Sequence, residues 1–420
     1  MTFAAAATTL SAMTAAATKH LAVWIVRRLR AAGHQALLAG GCVRDMLMDR
    51  RPADYDVATS ATPRQVKKLF GHVRMVGAKF GVAMVIRHGR RIEVATFRTD
   101  SSYSDGRRPD AVQFASARQD ALRRDFTING MFYDPVAATV VDYVGGQKDL
   151  AAGLIRAIGN PNKRFAEDHL RMLRAVRFAT RLDFRIEKAT AAAIRRSAPK
   201  IRQISGERIR EELEKMLSAP SAAAAVRQLR KLSLLEAILP ELFVDEHLAP
   251  AAIGRVEALA GRRDATGSLA ALLAGLPAAD IRGIVRRWGG SNRLRGSLLW
   301  MAEHLHDWPT APDAALADLK RLLAHRDFRR LVALWRHEEL AATGGVKCSR
   351  AIGRRIRRIE LAQVSPPPLV DGDDLMKLGL AEGPLLGRIL STLYRAQLNE
   401  QLTTRRKALG YARRLIREST

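Results

Sequence analysis

Asp54 and Asp56 stand two residues apart in Asp54-Tyr55-Asp56-Val57-Ala58, a segment that reads as a β-strand. Side chains alternate across a strand, so both carboxylates face one site. Two such groups in a partly buried site repel, and hard divalent cations with bound phosphates are the natural neutraliser. Carboxylates that hold ions about 3.5 to 4 Å apart suit nucleotidyl transfer, in which an attacking hydroxyl is activated and a leaving pyrophosphate stabilised. A second constellation lies just upstream. The apolar run Leu37-Leu38-Ala39 leads to Gly40-Gly41, and a short helix opens with Val43, Arg44, Asp45, Met46 and Leu47. Glycines let the backbone approach a ligand closely, and the N–H groups of a helix start, with Arg44, favour an anion. Alone, the D-x-D pair equally describes two solvated aspartates at a turn after Arg51-Pro52.

The elements that must position these residues follow from periodicity. His20 to Ala32 reads as an amphipathic helix packed on the first strand, and Thr62-Pro63 starts another that Gly71 is placed to end. Val82–Arg87 and Arg91–Phe97 flank His88-Gly89-Arg90 and read as a hairpin. Ile92 and Val94 share one face of it while Glu93 takes the other, beside the D-x-D strand. A solvated strand-face glutamate is the ordinary alternative. Arg98 to Pro109 is polar and glycine-containing, so no regular element is expected there. From Phe165 the pattern is helical. Asp168 and Arg171, three apart, are neighbours on one helical face, where an i,i+3 salt bridge is the ordinary explanation.

Gly-Gly-x-Val-Arg-Asp, the D-x-D pair, RRDFTING from Arg123 and EDHLRMLRAVRF from Glu167 occur together and in order. In this combination the chain resembles the class II tRNA nucleotidyltransferases (CCA-adding enzymes) and bacterial poly(A) polymerases, densely from Leu37 to Leu217. The resemblance implies that Asp54 and Asp56 bind Mg²⁺ with Glu93 supporting them, and that Gly40, Gly41 and Arg44 hold the triphosphate. It assigns sugar hydroxyls to Asn129 and phosphate or ribose to Arg124, with Asp125 orienting its arginine neighbours. The 98–109 stretch is similar to the flexible loop of members that add CCA or A.

The resemblance also gives Asp168 and Arg171 a sharper role. Cytosine presents an N4 amino donor beside the N3 acceptor, and adenine an N6 amino donor beside N1. A carboxylate with a guanidinium complements both, whereas uracil and guanine reverse the polarity and leave buried groups unpaired. Arg174 and Arg177 drift around a helix of 3.6 residues per turn, which leaves them triphosphate, stacking or support roles. Ile204 to Leu217 reads as a further helix with Ser205 as N-cap.

Lys and Arg number 70 against 42 Asp and Glu, a net charge of +28 over 420 residues. Counterion release makes a polyanion the obvious partner of such a chain. No transmembrane run or signal peptide supports a membrane alternative. Cys42 and Cys348 make neither a disulfide framework nor a metal set, which fits a reducing cytoplasm. The Ala- and Thr-rich residues 1–19 read as a frayed or weakly helical arm. Asp142 to Leu150 closes the catalytic domain with a turn. Beyond Ser218 the chain reads as helices broken at Pro220, Pro240, Pro250, Pro277 and Pro309 to Pro312. His304, His306 and Asp307 suggest a metal-dependent phosphohydrolase only if outlying residues such as His247 and Asp327 join them, and no motif supports that. Lys347–Arg358 is strongly basic, Ser365–Pro368 reads as a linker, and Gly379–Gly383 as a turn. Arg405, Arg406, Arg413 and Arg414 mark an RNA-backbone surface or a merely solvated face.

The expected fold is α+β. A polymerase-β-like nucleotidyltransferase head with a mixed or antiparallel sheet (20–150) is followed by a helical neck (151–217), body (218–345) and tail (346–420). The expected substrates are tRNA, CTP and ATP. An A-adding specialist or a poly(A) polymerase shares every head motif. A small-molecule nucleotidyltransferase would not need the basic helical half, and a non-catalytic RNA-binding protein would not need the acids.

Overall fold

The computed structural model describes residues 3–75, 81–101, 111–259 and 263–419. The chain divides into two compact units, Met1–Pro240 and Glu241–Thr420. The first is built on a seven-stranded mixed sheet. In chain order come α1 (Phe3–Ala31), β1 (Ala36–Ala39), α2 (Gly41–Leu47), β2 (Asp56–Thr59), α3 (Pro63–Leu69), β3 (Val73–Met75), β4 (Val82–Arg87) and β5 (Arg90–Thr96). A separate ribbon, β6 (Arg98–Ser101) with β7 (Ala111–Phe114), precedes α4 (Ala117–Leu122), β8 (Phe132–Asp134) and β9 (Thr139–Val141). The sheet order is β3-β4-β5-β2-β1-β8-β9. Only β2 and β5 run parallel; the other neighbours are antiparallel.

Strand alternation sets the two faces of this sheet. Leu38, Val57, Ile92 and Val94 point into a core made with Leu21, Ile25 and Leu29 of α1. Leu37, Ala39 and Ala58 pack on the other face with Phe97, Phe132 and with Ala117 and Ala121 of α4. Asp56 lies two residues before Ala58, and Glu93 is its direct partner in the parallel β2–β5 register. Both carboxylates are thereby carried on the α4 side of the sheet.

Several sequence expectations are corrected. The D-x-D strand begins only at Asp56; Asp54 and Tyr55 lead into it. The arm before His20 is helical from Phe3 and continuous with the helix that follows. Arg98 to Ser101, expected to be irregular, pairs with β7 in a regular ladder. Of the flexible-loop stretch, residues 102–109 lie outside the described residues. The hairpin turn is His88-Gly89, both at positive φ, as a two-residue loop between twisted strands demands. Thr62 closes a capping box with Gln65, whereas Phe70 in extended conformation, not Gly71, ends α3.

After α5 (Gly146–Ala151) and the short β10 (Leu154–Ile155), α6 (Pro161–Glu167) opens on an Asn160 cap. The helix expected to run on from Phe165 breaks at Asp168, whose φ is −152°. An Asp168 side-chain oxygen accepts from the Leu170 N–H at 3.1 Å, so the residue serves the start of α7 (Leu170–Leu182). β11 (Arg185–Ile186), α8 (Lys188–Ser197), α9 (Gly206–Leu217), α10 (Ala222–Lys231) and α11 (Leu234–Ile238) complete the unit. Ser205 occupies the N-cap position of α9 without a side-chain cap bond.

The second unit contains α12 (Leu248–Ala258), α13 (Ala265–Leu273), α14 (Ala278–Arg287), α15 (Asn292–Glu303), α16 (Leu316–Ala324), α17 (Phe328–Thr343) and α18 (Lys347–Arg357). α19 (Gly372–Lys377), α20 (Pro384–Leu398) and α21 (Arg405–Ser419) follow, with Leu375, Ile389, Leu393 and Ala412 in one core. Pro250 does not break the chain as expected. It sits in the first turn of α12, where a missing N–H costs nothing. His304 pairs with Asp307 and stacks edge-on against Trp300, while Asp327 is held by Arg326 and Arg330. Among the described residues no three His, Cys, Asp or Glu side chains are grouped to hold a metal.

One glycine tests this packing directly. A Cβ on Gly146 would collide with the Thr127 carbonyl and lie 2.6 Å from Met131 Cγ, whereas one on Gly71 would meet nothing within 4 Å. Gly146→Ala is therefore expected to cost the first unit about 1–3 kcal/mol by overpacking. Urea unfolding of the full chain should show that loss and leave Gly71→Ala near wild type.

Candidate active site

A cavity of about 690 Å³ in the first unit gathers side chains from β2, β5, α2, α7 and the α4–β8 connection. All thirteen residues singled out from the sequence line it: Gly40, Gly41, Arg44, Asp54, Asp56, Glu93, Arg124, Asp125, Asn129, Asp168, Arg171, Arg174 and Arg177. Arg98, Arg123 and Phe178 line it too.

The acids behave as the sheet register implies. Enclosure by the cavity walls, then repulsion from Glu93, push the Asp56 carboxyl up to about 6; Arg124 pulls against this and Asp54 adds to it. Asp56 still opens onto solvent in the cavity, so water screens part of that repulsion. Among the described residues, none of the three acids has a lysine or arginine within ion-pair distance.

The cradle is tightly built. Gly40 adopts φ 74°, and a Cβ there would lie 3.0 Å from Arg124 Nη1. Arg44 is buried, donates to Asp45 through Nε and Nη2 at 2.8 and 2.6 Å, and reaches Asn129 Oδ1 through Nη1 at 2.8 Å. Asn129 Nδ2 in turn donates to Asp125 Oδ1 at 3.1 Å. The Asn129 amide thus joins Arg44 to Asp125 and keeps only part of its capacity for a ligand.

Asp125 was expected to orient its sequence neighbours. Instead it receives Arg174 from α7, with Nε at 2.8 Å and Nη2 at 2.7 Å. Burial raises its carboxyl, but Arg174, Asn129 and the Phe126 N–H outweigh burial and hold it at about 2. Arg123 and Arg124 are held by Asp120, a residue the sequence reading passed over. The D-x-x-R-R spacing from Asp120, three and four residues along a helix, was the available signal.

At the α6–α7 junction the expected Asp168–Arg171 bridge is replaced by two others. Arg171 Nη1 donates to Glu167 at 2.6 Å, and Arg208 from α9 donates to Asp168 at 3.0 Å. The helix break places Asp168 off the face that carries Arg171. Arg177 Nε lies 2.7 Å from buried Glu212, at an angle that makes an ion contact without a hydrogen bond. Arg44, Arg174 and Arg177 all lie over the Phe178 ring, 5.4, 5.2 and 4.5 Å from its centroid. Nothing local in the sequence pointed to Arg208 or Glu212, which arrive from α9.

Acids carried on a mixed sheet beside an arginine-lined anion cradle define a nucleotide-handling phosphoryl-transfer site. Residues 36–156 match the family model for the Poly A polymerase head domain, and residues 183–245 match "Probable RNA and SrmB-binding site of polymerase A". A CCA-adding enzyme of Limosilactobacillus reuteri is 34% identical over 406 residues, 90% of this chain and 92% of that one. Poly(A) polymerase I of Salmonella typhi is 44% identical over 232 residues, 53% of this chain and 50% of its own length. The solved Bacillus stearothermophilus CCA-adding enzyme in complex with CTP is 30% identical, with a TM-score of 0.76 over 95% of this chain and 97% of that one. The chain belongs to the family of CCA-adding enzymes and bacterial poly(A) polymerases, and it is a nucleotidyltransferase.

The buried Asp125–Arg174 pair gives a pH test. A folded-state pKa of about 2 lies below the unfolded value of 3.8, so ionised Asp125 stabilises the fold above about pH 4 and the gain is lost as pH falls to 2. Asp125→Asn is expected to cost on the order of 2 kcal/mol at pH 7. In urea titrations its deficit against wild type should narrow between roughly pH 4 and pH 2.

Proposed function

We propose that the chain completes the 3′ end of tRNA, adding C, C and A from CTP and ATP without a template and releasing pyrophosphate. The carrying observation is the single cavity lined by the acids, the anion cradle, Asp168 and Arg171, in a chain related over most of its length to CCA-adding enzymes. Two carboxylates, Asp54 and Asp56, with no basic partner among the described residues suit Mg²⁺, which is commonly held by one or two carboxylates plus substrate phosphates. Asp54 and Asp56 are the residues that would hold it, with Glu93 beside Asp56 in support. Bound there, the ion would offset phosphate charge and favour ionisation of an attacking hydroxyl.

In this reading Gly40, Gly41 and Arg44 cradle the triphosphate, with Arg124, Arg174 and Arg177 adding positive charge around it. Asn129 faces the ribose, and Asp125 holds Arg174 in place. Asp168 and Arg171 meet the base edge. The RNA 3′-hydroxyl oxygen bonds to the α-phosphorus as the bond from that phosphorus to its bridging oxygen breaks. The hydroxyl proton is released and pyrophosphate leaves with the bridging oxygen. A second cavity of about 560 Å³, lined by Arg185, Lys188, Arg195, Arg227 and Lys231, supports an RNA partner for the helical part of the first unit. The reading divides the chain into head (20–150), neck (151–217), body (218–345) and tail (346–420), and it assigns the cytoplasm. Of the described helices, none is long and apolar enough to cross a membrane.

The test is incorporation with Mg²⁺ on tRNA transcripts ending at the discriminator base, at C and at CC, offered CTP, ATP or both. All three should grow to one CCA end. A single A added only to the CC transcript, or long A tails on unrelated RNA, would assign the chain to the A-adding or poly(A) branch. Asp54→Ala should abolish incorporation while tRNA retention on filters stays near wild type; persistent incorporation would remove Asp54 from the metal site.

A further inference from the structure

Asp120 lies on α4 with only 1% of its surface exposed. Its two oxygens divide two guanidiniums between them. Oδ1 accepts from Arg123 Nε at 2.9 Å and Nη2 at 2.7 Å, and Oδ2 accepts from Arg124 Nε at 3.1 Å and Nη2 at 2.9 Å. The Arg98 backbone N–H adds a longer contact to Oδ1 at 3.4 Å. Arg98, Arg123 and Arg124 all line the catalytic cavity. Arg124 is fixed at its other end as well, where Nη1 donates to the Asn129 carbonyl at 3.2 Å and its ring-facing side lies 5.0 Å from the centroid of Phe132. The glycine at position 40 leaves room for that Nη1 group.

Two neighbouring guanidiniums repel, and long side chains lose rotamer freedom when a ligand fixes them. A buried carboxylate shared between them offsets the first cost and meets the second before any ligand arrives. Burial raises the Asp120 carboxyl, but the two arginines outweigh it and hold it below the usual carboxylate range. Asp120 therefore carries its charge throughout the neutral range.

We propose that Asp120 is a positioning residue for the transfer reaction: it presents Arg123 and Arg124 to the β- and γ-phosphates of the incoming nucleotide. This rests on the nucleotidyltransferase reading of the cavity. It separates Asp120 from a purely structural ion triad by one property, which is that loss of Asp120 weakens recognition of the outer phosphates more than recognition of the nucleoside.

The test measures equilibrium binding of CTP and of CMP to the full-length, RNA-free chain, for wild type, Asp120→Asn and Asp120→Glu, beside thermal melts. Asp120→Asn should lose roughly tenfold or more in CTP affinity and much less in CMP affinity, so that the preference for CTP over CMP collapses. Asp120→Glu, which keeps the charge one methylene further out, should fall between Asp120→Asn and wild type. A parallel loss for both ligands, or an unchanged CTP-to-CMP ratio, overturns the proposal. If Asp120→Asn does not fold, Asp120→Glu decides alone, and a wild-type ratio in it overturns the proposal. Failure of the underlying reading shows in the wild type itself, as absent nucleotide binding, and overturns both.

Discussion

The cavity depends on carboxylate–guanidinium pairing. Seven arginines, Arg44, Arg98, Arg123, Arg124, Arg171, Arg174 and Arg177, line one space of about 690 Å³. Left unpaired, like charges so close would repel and their long side chains would sample many rotamers. The chain meets this with a carboxylate behind nearly every one. Asp45 holds Arg44, Asp120 holds Arg123 and Arg124, Glu167 holds Arg171, Asp125 holds Arg174 and Glu212 holds Arg177. A planar fork on a fixed carboxylate keeps its charge and direction while losing its mobility.

The acids around the cavity therefore fall into two kinds. Those behind arginines are mostly buried, and Asp120 and Asp125 are held below the usual carboxylate range. Asp54, Asp56 and Glu93 have no such partner among the described residues, and Asp56 is driven upward by enclosure in the cavity and then by Glu93. The first kind holds the arginines in a fixed cationic wall. The second leaves negative charge facing the cavity. The first kind sits mostly on helices, whereas the sheet sets the second: β2 and β5, in parallel register, put Asp56 against Glu93.

Much of this was legible in the sequence because the informative spacings were local. A period of two in Ile92-Glu93-Val94 placed Glu93 on the face opposite Ile92 and Val94, and Gly40-Gly41 marked the turn into α2. What was not legible came from contacts over long separation or from a local break in a regular pattern. Asp168 read as helical because its neighbours do; only the geometry of the α6–α7 junction shows it ending α6, accepting from the Leu170 N–H and pairing with Arg208, forty residues on. Asp125 read as a partner of Arg123 and Arg124 by adjacency, but a side chain in the buried turn after α4 faces α7, forty-nine residues away. Asp120 was within reach, since an acid three and four residues before paired arginines on a helix is a recognisable arrangement. It was missed because nothing in the local pattern says that those arginines face a cavity.

On the proposed assignment of Asp168 and Arg171, this cavity selects nucleotides before any RNA is bound. Equilibrium binding of CTP, ATP, UTP and GTP to the wild-type, RNA-free chain tests it most directly. CTP and ATP are expected to bind roughly tenfold or more tightly than UTP and GTP, because their base edges offer a donor to the Asp168 carboxylate and an acceptor to the Arg171 guanidinium. Equal binding of all four would contradict it and reduce Asp168 and Arg171 to parts of the ion-pair framework.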